Sequence, residues 1–473
     1  LAFLRPIGAK SQGLSSGATY QSGNDMSEPK IPESIEKRLR LRTLRPDLEP
    51  LARELVELAC AGSRELWGEL DSDRLKTDAD FRRKFHELAH EGMFSAQEKM
   101  ASRISTGVPL DVSEQLLFRA IADTIAWGML GGQLCYARRI YKSQRQPDLS
   151  QSNFESVLRV ARELRERDPG CMPLITDLTS FVQVGDIMSV SADRRTSYIE
   201  VKEGQHNKHV MDLAMFYEAS GCETFREIVE KTESPKTVKQ MERVLRQKAR
   251  MTHLRDVMST GQAKDPDTGE VVRIPEPFFP IKNWDEALAK LTETAREKQS
   301  WAYDVQGPIF MGAYAGELAN SGHLMFLMAL SLEGDVEQDY HIIRLADCMH
   351  VPLAPSVFSM GLANEIMMDL VFGRMNVCIA VSIPRLIEVC EMAGMDVRYA
   401  TRKELGRAKI DGVEPIVHRG KGLMFSLAGE EMMLLSGVIF RALFHGQQPE
   451  SVLRHYLEGS ELLSSGLPEN LQS

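Results

Sequence analysis

Asp186, Glu200 and Lys202 carry the most chemistry in this chain. They sit in two short strand-like runs, Gly185-Asp186-Ile187-Met188-Ser189-Val190 and Tyr198-Ile199-Glu200-Val201-Lys202, separated by a turn. If residues 186–191 pair antiparallel with 197–202, Asp186 lies opposite Lys202. Glu200 and Lys202 are two apart and point to one face, whereas Ile199 and Val201 point to the other and can be buried. Two carboxylates converging at a strand end suit Mg²⁺ or Mn²⁺, hard cations held by oxygen with several waters retained. Such an ion polarises a phosphodiester and acidifies a water. Lys202 would orient that water or offset charge developing on the phosphate. The plainer alternative is a surface hairpin with a charged outer face.

With its flanks, Gly185-Asp186-Ile187 followed by Tyr198-Ile199-Glu200-Val201-Lys202-Glu203-Gly204 resembles the core of the PD-(D/E)xK, or restriction-endonuclease-like, nucleases. The resemblance covers roughly residues 152–220, under a fifth of the chain. It implies an α+β fold with a restriction-endonuclease-like mixed β-sheet core flanked by helices. It implies that Asp186 and Glu200 bind metal and that Lys202 serves catalysis. A further acid would come from the preceding helix, where Glu155 and Glu163 are candidates. A polar residue would come from the following helix, Gln205 or Asn207, and Asp177 is another candidate. One departure stands out: Gly185 takes the place of the proline in the family's name.

The elements that must position these residues can be read from periodicity. Residues 152–167 form an amphipathic helix with Phe154, Val157, Val160, Ala161 and Leu164 on one face, stopped by Asp168-Pro169-Gly170. Strands are expected at 173–176, 187–190 and 198–201, and a helix at 206–219. The order is helix, strand, strand, strand, helix. A long basic helix follows at 234–258. Its Lys239, Arg243, Arg246 and Arg250 could track a nucleic-acid backbone, or it could simply present a solvated face or a dimer seam.

A second motif competes. His86-Glu87-Leu88-Ala89-His90 matches HExxH and resembles zinc metallopeptidases, with Zn²⁺ on His86 and His90 and Glu87 as general base. The surroundings disfavour it. Charged residues flank the motif, Gly92 is expected to end the helix within one turn, and Glu98 and Glu114 are the only guesses at a third ligand.

Composition sets the frame. At 473 residues the chain exceeds one ordinary core. Expected divisions are an N-terminal extension at 1–33, a helical domain at 34–147, the nuclease-like domain at 148–335 with a basic helical insertion near 222–282, and a C-terminal α+β domain at 336–473. Net charge is −10, so a nucleic-acid surface must be a local patch. The seven cysteines never form CxxC, which fits reduced thiols in a cytoplasm. No apolar run is long enough for a bilayer.

The chemistry expected is thus metal-dependent phosphodiester hydrolysis. DNA is favoured over RNA by fold analogy alone, and defence against foreign nucleic acid is one setting for it. The alternatives are a non-catalytic nucleic-acid-binding or scaffold protein on a degenerate nuclease fold, and the zinc peptidase. Homo-oligomerisation stays open.

Overall fold

The computed structural model describes residues 42–64, 66, 74, 77–142, 146–191, 195–201, 204–264, 269, 271–273, 282–410, 415–427 and 429–464. Contacts divide the chain into two units, residues 1–40 and 41–473. The first lies outside the described residues, as does the expected extension at 1–33.

The second unit opens with helices α1 (Glu49–Ala61), α2 (Ala79–Ser105), α3 (Val112–Met129) and α4 (Leu134–Ile140). Asp78 caps α2 by accepting from Phe81 N, and Asp111 caps α3 by accepting from Ser113 N and Glu114 N. Helix α2 runs straight through Gly92, contrary to the expected stop. A Cβ at Gly92 would lie 2.6 Å from Leu58 O, and one at Gly62 would lie 1.9 Å from Leu88 O. These glycines therefore allow α1 and α2 to touch backbone to backbone.

Next comes α5 (Phe154–Arg167), then strands β1 (Met172–Ile175), β2 (Ile187–Val190) and β3 (Thr196–Ile199), then α6 (Gln205–Ser220). The expected order holds. The sheet is antiparallel throughout, in the order β1-β2-β3. No parallel strand joins it among the described residues, so the expected mixed sheet is replaced by an antiparallel one. Its side chains alternate between two cores. The row Ile175–Ile187–Ile199 packs into the main core. The row Leu174–Met188–Tyr198 faces a second core that includes Trp127, Phe181 and Leu254.

Helices α7 (Glu223–Thr232) and α8 (Pro235–Thr260) follow, with a small hairpin of β4 (Gln262–Lys264) and β5 (Val271–Arg273). Ser234 and Pro235 start α8, and Gly261, left-handed at φ 71°, ends it. The apolar face of α8 packs in two parts. Met241 and Val244 share a small core with Val210, Ala214 and Val229, whereas Leu254 reaches the second core of the three-stranded sheet.

After α9 (Asp285–Lys298) a second sheet forms from β6 (Trp301–Gln306), β7 (Ile309–Ala315), β8 (Tyr340–Arg344) and β9 (Met375–Ser382), in the order β6-β7-β9-β8. Its central strands are buried on both faces. Ile309, Met311, Val377 and Ile379 enter the main core, while Phe310, Tyr314, Cys378 and Ala380 enter another under α10 (Gly322–Ser331). Helices α11 (Val336–Asp339) and α12 (Asn364–Val371) intervene, and α13 (Ile383–Met392) follows β9, opened by Ser382 and Pro384.

The chain ends with β10 (Asp396–Tyr399), α14 (Arg402–Ile410), β11 (Val417–His418), β12 (Lys421–Leu427), β13 (Glu430–Met433), α15 (Ser436–Phe444) and α16 (Pro449–Ser464). The stretch from 430 begins as a strand because Met424–Leu427 offers it an antiparallel partner. The molecule is thus α+β. Both expected boundaries, 147/148 and 335/336, fall inside one compact unit, and the second sheet takes strands from either side of residue 335.

Candidate nucleic-acid site

Strand β2 begins at Ile187 and β3 ends at Ile199, and these two residues are paired. Asp186 and Glu200 are therefore the next residues out, at the same end of the hairpin. This register is two residues from the expected one, so it is Glu200 that comes level with Asp186. Lys202 lies outside the described residues.

The cause of the register is local. Gly185 is left-handed at φ 71°, and Asp186 N donates to Ile199 O at 2.8 Å. A Cβ at Gly185 would stand 2.9 Å from Ile199 O. Thr176 fixes the other side. Its hydroxyl donates to Gly185 O at 2.7 Å, and its N donates to Asp186 O at 3.1 Å. The Asp186 carboxylate turns back across the hairpin, where Val201 N donates to its Oδ2 at 2.6 Å. Ile199 and Val201 pack toward the main core, as their alternation requires.

Alternation puts Glu200 on the same face as Tyr198, the face covered by α8. Gln247 of α8 confirms it, since its Nε2 donates to Glu200 Oε1 at 3.3 Å. Two turns back along the same helix, Gln240 Nε2 donates to Asn207 Oδ1 at 3.3 Å. Gln240, Arg243, Gln247 and Arg250 recur at spacings of three and four, and so form one stripe on α8. Pro235, Lys236, Lys239, Gln240 and Arg243 line a surface pocket of about 400 Å³ at the start of this stripe.

Lys142 joins from a distant part of the chain. Its segment is tied to the loop before β2: Lys142 N donates to Gln183 Oε1 at 2.6 Å, and Gln183 N donates to Ile140 O at 3.1 Å. Burial depresses the Lys142 ammonium below the usual lysine range, the Arg250 guanidinium adds to this, Glu200 opposes it, and Arg243 depresses it further. Lys142 thus lies within electrostatic reach of Glu200, Arg243 and Arg250. In a chain of net charge −10, that is a local excess of positive charge, suited to an anion.

Structure therefore brings Asp186 and Glu200 to one end of the hairpin, with Gln247 on Glu200; Arg243 and Arg250 share the α8 stripe and the neighbourhood of Lys142, and Asn207 meets Gln240 two turns away on the same helix. Lys239 and Arg246 are exposed on α8. The remaining candidates stand apart. Glu155 is exposed in the first turn of α5. Glu163 pairs with Arg159 and Arg167 of its own helix. Asp177 gives its carbonyl to Arg119 at 3.1 Å. Gln205 is the exposed first residue of α6. Lys142 and Gln247 were not legible as site residues, because neither belongs to the hairpin motif and only tertiary packing delivers them.

Oxygen donors at Asp186 and Glu200 match a Mg²⁺ or Mn²⁺ ion that keeps waters and takes further oxygens from a phosphate. Among the described residues no group of three His, Cys, Asp or Glu could hold a metal ion, so the set is a pair of carboxylates.

His86 and His90 share a face of α2, with ring centroids 5.7 Å apart. His90 is mid-helix, not near a C-terminus. It is buried, and its Nδ1 bonds Gly170 O at 2.9 Å. Burial holds its pKa below the usual histidine value. Two turns on, Gln97 clamps Pro173 O and Ile175 N at 3.0 and 2.8 Å. The face of α2 that carries His90 thus docks the helix on β1. The guessed third ligands are engaged elsewhere, Glu98 by Arg162 and Glu114 by Arg103.

All seven cysteines are free thiols, and no described helix is long and apolar enough to cross a membrane. No protein-family model, curated protein or solved structure matches the chain.

Proposed function

We propose that the chain is a metal-dependent nuclease of the PD-(D/E)xK type that hydrolyses phosphodiester bonds, with DNA as the favoured substrate. The observation that carries this reading is the convergence of Asp186 and Glu200 at one end of a hairpin, facing the Arg243–Gln247–Arg250 stripe of α8 and the Lys142 ammonium. The helix–strand–strand–strand–helix order around the hairpin supports it.

Asp186 and Glu200 would hold Mg²⁺ or Mn²⁺, which when bound supplies Lewis-acid polarisation of the scissile phosphate. Arg243, Arg250 and Lys142 would draw in the phosphate and offset its charge as it grows in the transition state. Lys202, two residues beyond Glu200 in the sequence, would orient the attacking water. The bond from Val201 N aims the Asp186 carboxylate, and a carboxylate accepts at both oxygens, so this bond is compatible with an ion.

The test uses the full chain with supercoiled plasmid and single-stranded DNA in Mg²⁺ or Mn²⁺. Cutting is expected, lost by about 100-fold or more in Asp186→Asn and in Lys202→Ala. Cutting undiminished in both variants would refute the site. Tight binding without cutting in the wild type would instead favour the non-catalytic reading.

A further inference from the structure

Helix α8 carries more positive charge than the site at the hairpin uses. Lys236, Lys239, Arg243, Arg246 and Arg250 follow one another at spacings of three, four, three and four, so they form one stripe along the helix. From Lys236 to Arg250 the stripe is about 21 Å long, at the rise of an α-helix. The first four cations are exposed and Arg250 is half-buried.

Cations elsewhere on the surface have carboxylate partners. Arg53 pairs with Glu365, Arg162 with Glu98, Arg374 with Glu49 and Arg398 with Glu404. The acids on and beside α8 are turned away from the stripe. Glu242 pairs with Arg226, Asp256 with Arg255, and Glu233, just before the helix, bonds His209. Among the described residues no carboxylate pairs with Lys236, Lys239, Arg243 or Arg246. Like charges at these spacings repel one another and destabilise the helix. A polyanion lying along them removes that repulsion.

The stripe stops at a definite place. The next positions in the same progression are Leu254 and Val257, both buried, and Leu254 enters the second core of the three-stranded sheet. Three residues before Arg250, Gln247 holds Glu200. The carboxylates therefore stand near one end of the stripe. The unpaired cations run away from them toward the start of α8, where Lys236, Lys239 and Arg243 line a pocket of about 400 Å³ with no acid in its walls.

We propose that this stripe binds the phosphates of a DNA strand on one side only of the scissile bond, over about six nucleotides at the duplex rise of about 3.4 Å each. The proposal rests on the nuclease reading for the position of the cut. It adds to that reading a polymeric substrate with a one-sided footprint. Phosphate contacts carry no sequence information, so the stripe selects for length of strand beyond the cut and not for base identity.

The first measurement is binding of a fluorescent duplex longer than two helical turns to the full chain, by anisotropy with EDTA present so that no cutting intervenes. Salt is varied between about 50 and 200 mM, where each cation–phosphate contact contributes about 0.9 to the slope of log affinity against log salt. Lys236→Gln/Lys239→Gln/Arg246→Gln should flatten the slope by about 2.7, so that it loses roughly 40-fold less affinity than the wild type across that range. Lys239→Gln alone should flatten it by about 0.9. Gln is a good helix former and all three positions are exposed, so the melting temperature is expected to hold. Variants that melt like the wild type and keep its salt slope overturn the proposal. The second measurement is a limit digest in Mg²⁺ of a duplex labelled at either end of one strand. Products shorter than about six nucleotides should be missing from one end and present at the other, and the triple variant should yield them from both. Equally short wild-type products from both ends overturn the one-sided footprint. No cutting at all would refute the nuclease reading, and the salt slopes would still decide whether the stripe binds DNA.

Discussion

Gly185 decides where the Asp186 carboxylate goes. Its φ of 71° is closed to proline, whose ring fixes φ near −65°. The departure from the proline of the family's name is therefore a change of backbone, not only of side chain. Any Cβ at this position also meets Ile199 O at 2.9 Å. Gly185→Ala is expected to cost about 1–3 kcal/mol, read from urea unfolding, and a variant as stable as the wild type would show that this geometry is not held in solution. The sequence made the two acids legible because Ile187, Ile199 and Val201 alternate with them. It did not make the register legible. The expected pairing counted a regular ladder, whereas the left-handed glycine and the Asp186 N to Ile199 O bond set the strand ends two residues differently. Lys142 and Gln247 were invisible for another reason: no local pattern links them to a hairpin dozens of residues away.

At the scale of elements, α3 does for the loop before β2 what α8 does for the hairpin. Arg119, Asp123 and Trp127 recur every fourth residue and meet that loop in turn. Arg119 donates to Asp177 O and Thr179 O at 3.1 and 2.6 Å, Asp123 accepts from Ser180 N at 2.7 Å, and Trp127 packs on Phe181. Trp127 also packs on His445, with ring centroids 5.2 Å apart. Burial raises the Asp123 pKa from 3.8 to about 6. The folded state thus prefers the protonated acid. Its contribution is fully present below about pH 4, declines as pH rises through 6, and is absent above. Asn keeps the acceptor for Ser180 N and never ionises. Asp123→Asn should therefore be more stable than the wild type at pH 7.5, by up to roughly 3 kcal/mol, with the gap closing near pH 4. Thermal unfolding at both pH values checks this, and a variant less stable at pH 7.5 contradicts it. The amphipathic character of α3, α5 and α8 was readable from spacing. The role of Gly92 was not, since a glycine that ends a helix and one that lets two helices touch look alike in one sequence.

Domain boundaries are where the whole molecule differs most from its sequence. The sequence divides a C-terminal α+β domain, 336–473, from what precedes it. Strands β6 and β7, before that boundary, belong to the same sheet as β8 and β9. Strand β7 pairs with β9 along Ile309–Ala315, from Ile309↔Val381 to Ala315↔Met375. That pairing spans the expected boundary, and the main core draws on residues from Leu44 to Leu457. A chain ending at residue 335 would leave one whole edge of β7 unpaired and its apolar residues Ile309, Met311 and Ala313 without Val377 and Ile379. An exposed, flat apolar edge of that kind promotes aggregation. Residues 42–335 alone are thus expected to aggregate or to lack a cooperative melting transition, and 336–473 alone likewise, whereas co-expression of the two pieces should recover a soluble complex. Circular dichroism and size-exclusion chromatography of the three samples decide it. A stable, cooperatively melting 42–335 fragment would show that the sheet is not the shared foundation that the strand order makes it.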